Sequence, residues 1–212
     1  MTLDVIFSDA SIVVLNKPSG LLSVPGRGED KQDCLHTRAQ RTFPDVLVVH
    51  RLDMATSGLL VFARNKAVQR TLGEAFASRQ VHKRYEAVVS GLVQTPLEDW
   101  MVIDLPIMVD WPNRPLRIIH KELGKPSVTR LRCLGHNLQN NTSRVALEPV
   151  TGRSHQLRVH LQAIGHCILG DALYAPPEVQ AQSPRLLLHA THLALRHPAN
   201  GTTLEFNSPA EF

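Results

Sequence analysis

The chain has 212 residues, 43% of them hydrophobic, and 23 lysines and arginines against 19 acidic residues give a net charge of +4. This size allows one large domain with a sizeable core, and the charge favours a polyanionic partner without requiring one. The three cysteines are widely spaced, so they suggest neither a disulfide framework nor a CxxC metal site. No apolar run approaches the ~20 residues that cross a bilayer. We therefore expect a soluble cytoplasmic protein with reduced thiols.

The first third of the chain predicts a hairpin, a loop and a short helix. Two apolar runs, Asp4 to Phe7 and Ile12 to Lys17, flank a polar turn and indicate paired strands. Glycines and prolines between residues 18 and 28 predict a loop, and residues 35 to 41 are compatible with a helix.

The segment that follows places a carboxylate between two apolar runs. Val46 to Val49 and Leu59 to Ala63 both predict buried strands, and Asp53 lies between them beside Arg51. A buried aspartate is costly unless it is paired, so Asp53 belongs either to a structural ion pair or to a functional site. The residues alone leave both interpretations open.

The middle of the chain predicts a helix and a strand, followed by irregular structure. Residues 66 to 78 place apolar side chains at helical spacing, and residues 81 to 90 have strand composition, with Tyr85 facing the same side as Lys83. The high proline density from residue 95 to 126 favours loop and edge strand, with Trp111 as a surface contact.

The last third predicts a second hairpin, a helix and two closing strands. The hairpin pairs residues 127 to 133 with 143 to 147, the helix runs from about Ser154 to Ile164, and the strands cover 186 to 195 and 203 to 206. Arg158 falls on the polar face of the helix. The fold class is therefore α/β of the α+β type, with a mixed, mainly antiparallel sheet and flanking helices.

Five segments, taken together and in this order, resemble the motifs of the RluA family of pseudouridine synthases. They are Lys17 to Leu22, His50 to Leu59, Lys83 to Ala87, Thr151 to His160 and Leu187 to Ala190. The resemblance spans nearly the whole chain and implies a single pseudouridine synthase catalytic domain over residues 1–212, without an S4-type RNA-binding domain. Asp110 to Pro115 is most similar to the dual-specificity RluA type, which modifies both large-subunit (23S) ribosomal RNA and a tRNA anticodon stem-loop.

The resemblance also implies a mechanism. Asp53 matches the essential carboxylate, and an ionised aspartate can form and later release a covalent bond to the base or the sugar. Arg158 would keep Asp53 ionised, and Tyr85 would stack on the uracil and move a proton. The target nucleotide must leave its stack, and Arg51 would fill the vacated space. The reaction needs no metal and no cofactor.

Basic residues near these motifs are candidates for RNA contacts. They are Lys17, Lys83, Arg84 and Arg153. Lysine and arginine bind the phosphate backbone, so we expect affinity to fall as salt rises. The partners expected from the sequence are therefore 23S rRNA and tRNA, bound by a monomer, with no membrane and no metal.

Two other functions remain open from the residues. A metal-dependent hydrolase would use His50 and Asp53 with later histidines as ligands, although the histidine spacings match no HExxH motif. A non-catalytic RNA-binding module would depend on the basic clusters but not on Asp53, and the aromatic content of 5% offers it few stacking surfaces.

Overall fold

The computed structural model describes residues 3–95 and 99–212, so residues 96–98 of the expected proline-rich loop lie outside the described part. The strands are β1 (Val5–Ser8), β2 (Ile12–Lys17), β3 (Leu47–Val48), β4 (Ser57–Ala63), β5 (His82–Ser90), β6 (Met101–Asp104), β7 (Ile107–Val109), β8 (Arg117–Ile119), β9 (Val128–Asn137), β10 (Thr142–Pro149), β11 (Leu188–Arg196) and β12 (Thr203–Asn207). The helices are α1 (Leu35–Gln40), α2 (Lys66–Ala77), α3 (Gln156–Ala163) and α4 (Pro177–Gln180).

The chain forms two compact units, and each is described by itself. The first unit comprises residues 1–83 and 189–211, and the second comprises residues 84–188 and 212. In the described residues no helix is long and apolar enough to span a membrane.

The first unit is built around strand β4, whose seven residues are all buried. It lies between β2, with which it pairs antiparallel, and β11, with which it pairs parallel. β1 and β12 extend this sheet, and β3 pairs with the end of β4. Helix α2 contributes Val68 and Leu72 to the core over β4. A strand covered on both faces reads as a continuous apolar run, which is why β4 was predictable.

The second unit contains a four-stranded antiparallel sheet in the order β5, β10, β9, β6. Tyr85 on β5 lies opposite Leu147 on β10. A separate hairpin joins β7 to β8, and helix α3 packs against β8, β9 and β10. The expectation of an α+β fold with a mixed, mainly antiparallel sheet is confirmed.

Three boundaries differ from the sequence prediction. Strand β3 has only two residues because the chain leaves the sheet before His50, and β4 begins two residues earlier than expected, at Ser57. Helix α3 begins at Gln156 because His155 adopts a left-handed backbone, with φ of 58°. The expected polar face of α3 is also wrong at Arg158, which is buried.

Gly58 is required where the parallel pair β4 and β11 begins. Its φ is +109°, and a Cβ atom at this position would overlap the backbone nitrogen and oxygen of Ala190. Both constraints exclude a side chain, since L residues rarely adopt this conformation and the facing atoms are backbone.

We expect Gly58→Ala to lower the free energy of unfolding by about 1 to 3 kcal/mol or more, through strain and overlap together. Gly73→Ala is the matched control, because a Cβ atom at Gly73 in helix α2 meets nothing within 4 Å. That change should stabilise the protein by about 0.5 to 1 kcal/mol. Urea denaturation of both variants measures the difference, and equal stabilities would contradict the packing described for Gly58.

Candidate active site

In the first unit, the loop that contains Asp53 is held by its backbone. The carbonyl of Asp53 accepts a hydrogen bond from the Thr56 amide at 3.1 Å. The Ser23 hydroxyl donates to the Leu52 carbonyl at 2.7 Å and accepts from the Leu52 amide at 3.1 Å. The Ser19 hydroxyl donates to the Ala55 carbonyl at 2.7 Å. This loop is therefore fixed on both sides of Asp53, which is itself partly exposed.

The buried side chain of Lys17 also holds the Asp53 loop in place. Its side chain is 0% exposed, and Nζ donates to the carbonyls of Pro18, Leu21 and Met54 at 2.8, 2.7 and 3.0 Å. Burial lowers the pKa of Lys17 to about 8, and the charge of Asp53 opposes that shift. All three N–H donors of a lysine are thus engaged. The expectation that Lys17 contacts phosphate is corrected, because a buried ammonium bound to three carbonyls has no donor left for RNA.

Next to this loop, His50 is held as a neutral side chain. Its Nε2 accepts a hydrogen bond from the Val61 amide at 3.1 Å, and its ring stacks on Phe76 at 4.4 Å. Desolvation, and then the charge of Lys83, lower the pKa of His50 to about 3. The backbone amide occupies the Nε2 lone pair, so this nitrogen is not available to a metal.

Lys83 and Arg51 differ in exposure. Lys83 is partly buried, and its Nζ lies 5.8 Å from the centroid of the Phe76 ring. Burial lowers the pKa of Lys83. Arg51 is exposed.

In the second unit, Arg158 forms a buried ion pair with Asp171. Arg158 Nε donates to Asp171 Oδ2 at 2.8 Å, and Nη2 donates to Oδ1 at 2.6 Å. The two side chains are 5% and 1% exposed. Arg158 therefore makes a bidentate contact with Asp171 through Nε and Nη2, while the pairing with Asp53 that the resemblance implies stays a prediction.

Tyr174 lies against the same guanidinium group. Arg158 Cζ is 5.0 Å from the centroid of its ring, and the hydroxyl contacts His155 Nδ1 at 2.6 Å. The same hydroxyl accepts from the Arg117 amide at 3.0 Å. Burial raises the pKa of Tyr174, so the hydroxyl stays protonated at neutral pH and can donate a hydrogen bond to His155.

The other predicted residues of the second unit lie on its sheet or its surface. Tyr85 is partly buried on β5. Arg84 pairs with Glu148 at 2.9 Å, and its guanidinium lies 5.8 Å from the Trp100 ring centroid. Arg153 is exposed in the turn before α3.

The later histidines proposed as metal ligands all have hydrogen-bond partners within the protein. They are His155, His160, His189, His192 and His197. His160 contacts Thr129 and the Leu105 carbonyl at 2.9 Å each, and burial lowers its pKa. The described residues contain no group of three or more His, Cys, Asp or Glu side chains placed to hold a metal. The remaining contacts are His155 with Tyr174, His189 with Ser57 and Ser208, His192 with Asn207, and His197 with Asp9.

Sequence reasoning missed Asp171, Tyr174, Ser19 and Ser23. A signal for Asp171 was present, since an aspartate two residues after the apolar run Ile168 and Leu169 requires a partner if it is buried. The two serines lie in a segment from which only the lysine was considered. Backbone anchoring of a distant loop leaves no pattern in the sequence.

Comparisons with known proteins agree on one family. Residues 11–163 match the family model described as RNA pseudouridylate synthase. The chain is 51% identical to the dual-specificity RNA pseudouridine synthase RluA of Escherichia coli O6:H1, over 98% of this chain and 93% of the relative. The RluA of Haemophilus influenzae is 46% identical over 99% of the chain and 94% of the relative.

Solved structures agree. The structure of human RNA pseudouridylate synthase domain containing 1 covers 98% of this chain, with a TM-score of 0.81, 31% identity and 83% of its own length matched. The metal-dependent hydrolase and the non-catalytic RNA-binding module are accordingly set aside as functions of this chain. The chain belongs to the RNA pseudouridylate synthase family, as an isomerase of the RluA type that converts uridine in RNA to pseudouridine.

Proposed function

We propose that this chain isomerises specific uridines in 23S ribosomal RNA and in a tRNA anticodon stem-loop, as a monomer with one catalytic domain. The observation that carries this proposal is the 51% identity, over 98% of the chain, to a relative named as dual-specificity. These substrates place the reaction in the cytoplasm, where the three free thiols of the chain would stay reduced.

Asp53 is the proposed nucleophile. A nucleophile must be held still and must be ionised, and the backbone hydrogen bonds on both sides of Asp53 support the first requirement. Asp53 also interacts with a nearby positive charge, since its carboxylate opposes the lowering of the Lys17 pKa. The carboxylate would attack the base or the sugar, hold the intermediate and then leave.

Arg158 and Tyr85 are the other proposed catalytic residues. Asp171 accepts hydrogen bonds from two of the five N–H groups of the Arg158 guanidinium, and the family resemblance assigns the nucleophile to Arg158 as a further partner. Tyr85 combines a ring that can stack on uracil with a hydroxyl that can move a proton. Tyr85 is partly buried on β5.

The enzyme would extrude the target nucleotide from its stack, with Arg51 in the vacated space. Arg51 and Arg153 are exposed, which supports roles in RNA contact. Lys83 is partly buried, so its side chain would have to extend into solvent to reach a phosphate. Arg84 is paired with Glu148, so its guanidinium would have to contact the phosphate and this carboxylate together. The chemistry proposed here needs no metal and no organic cofactor.

We expect Asp53→Asn to abolish pseudouridine formation while folding and RNA binding remain, because asparagine keeps the shape but cannot attack. The measurement is pseudouridine mapping of a 23S fragment and a tRNA anticodon stem-loop incubated with purified enzyme in chelator. Asp45→Asn is the matched control, since it removes an exposed carboxylate that pairs with Arg64. Turnover by Asp53→Asn, once deamidation is excluded, would demote Asp53 to a structural role.

A second experiment separates the two roles of Tyr85. Tyr85→Phe keeps the ring, so RNA binding should survive while the single-turnover rate falls by about 10²- to 10⁴-fold, the usual contribution of a general acid or base. Tyr85→Leu should also weaken binding, by about 1 to 3 kcal/mol, through loss of stacking. A wild-type rate for Tyr85→Phe at saturating enzyme would remove the proton-transfer role.

The buried Lys17 gives a prediction for stability against pH. Burial lowers the pKa of Lys17 from 10.5 to about 8, so between these values the unfolded chain binds a proton that the folded chain does not. Raising the pH through this window therefore opposes unfolding. The free energy of unfolding of wild type should rise relative to Lys17→Met by up to about 3 kcal/mol. The pKa of Lys83 is also lowered, but Lys83 is present in both proteins, so its contribution cancels in the difference between them. A difference that stays constant with pH would contradict the lowered pKa.

A further inference from the structure

We propose that Asp171 is a positioning residue for catalysis, which sets the orientation of Arg158 through its bidentate contact while Tyr174 supports the guanidinium plane. This inference rests on the proposed catalytic role of Arg158. No feature of the family comparisons assigns a role to Asp171 or Tyr174.

The contact restricts Arg158 more than a single hydrogen bond would. Two parallel N–H donors at 2.8 and 2.6 Å fix both the plane of the guanidinium and its rotation in that plane. The Tyr174 ring, 5.0 Å from Cζ, lies against the guanidinium and limits its tilt. A long, flexible side chain is thereby held in one orientation.

Asp171 is itself fixed by the main chain. Its Oδ1 accepts from the Leu173 amide at 2.9 Å and from the Tyr174 amide at 3.2 Å, in addition to Arg158. Gly170, directly before it, has φ of 73°, and a Cβ atom there would overlap the Arg185 carbonyl. The carboxylate that holds Arg158 is therefore anchored by backbone atoms, which makes it a rigid reference.

The Tyr174 hydroxyl extends this support to two other elements. It contacts His155, the left-handed residue before α3, and accepts from the Arg117 amide at the start of β8. Arg158 is carried by α3. The Tyr174 side chain is thus hydrogen-bonded both to His155, the N-cap of the helix that carries Arg158, and to the β7–β8 hairpin.

A purely structural interpretation explains less. A buried ion pair contributes little net stability compared with apolar residues of similar volume, because both charges must be desolvated. The two hydrogen bonds to Asp171 involve two of the five N–H groups of the guanidinium. Holding a cation in a defined orientation for another group is a task that apolar residues cannot perform.

The test is a double-mutant cycle of Asp171→Asn with Arg158→Ala, measured by single-turnover rate at saturating enzyme and by RNA affinity. We expect Asp171→Asn to slow the chemical step by about 100-fold, as small misplacements of catalytic groups do, while RNA affinity is unchanged. In the Arg158→Ala background, Asp171→Asn should cause no further loss, since its effect acts through the arginine.

Asp9→Asn is the matched control. Asp9 also accepts two backbone amides, from Ser11 and Ile12, and pairs with a side chain, His197. Its substitution should lower the melting temperature but leave the single-turnover rate of the folded protein unchanged. All rates are taken at a temperature where circular dichroism shows each variant to be folded.

Asp171→Glu covers the case in which Asp171→Asn does not fold. It keeps the charge pair but displaces the carboxylate by one methylene group, so it should fold and react slowly. A wild-type rate in a folded Asp171 variant, or a loss that adds in full to that of Arg158→Ala, overturns the positioning role. Wild-type turnover by Arg158→Ala would instead overturn the proposed role of Arg158, and the two failures are distinguishable.

Discussion

The buried ammonium group of Lys17 is the constraint on which the Asp53 loop depends. A charge without access to water must be compensated, and three backbone carbonyls from two segments of chain provide that compensation. One of them, the carbonyl of Met54, belongs to the residue that follows Asp53. Desolvation thus forces the two loops together, and the serines at positions 19 and 23 add hydrogen bonds to the same arrangement.

The second unit meets a similar requirement with a different pair. Arg158 and Asp171 are both almost fully buried, and their two hydrogen bonds, with two further backbone amides on the carboxylate, compensate both charges. In each unit a long basic side chain is held rigidly at a motif for which we propose a catalytic role. Rigid placement of charge before the substrate arrives is a general source of catalytic power, because no reorganisation is then needed during the reaction.

Two residues with positive φ lie beside these same motifs. Gly58 is the second residue of the buried strand that follows the Asp53 loop, and His155 precedes the helix of Arg158. Glycine adopts positive φ readily, whereas at His155 it costs free energy unless the surrounding structure imposes it. At Gly58 the cause is the close approach of Ala190, and at His155 it is accompanied by a hydrogen bond to Tyr174.

The sequence by itself determined the elements that depend on local patterns. The continuous apolar run of β4, the helical spacing of α2 and the turn residues of the hairpins all follow from neighbouring residues, and the motif around Asp53 identified the family. The prediction that Arg158 lies on a helix was also correct. Only the tertiary structure decided that Lys17 is buried and that Asp171 pairs with Arg158. The physical reason is that a charged residue shows no periodicity of its own. Its environment depends on which distant segments surround it, and these are brought together by the packing of the whole unit.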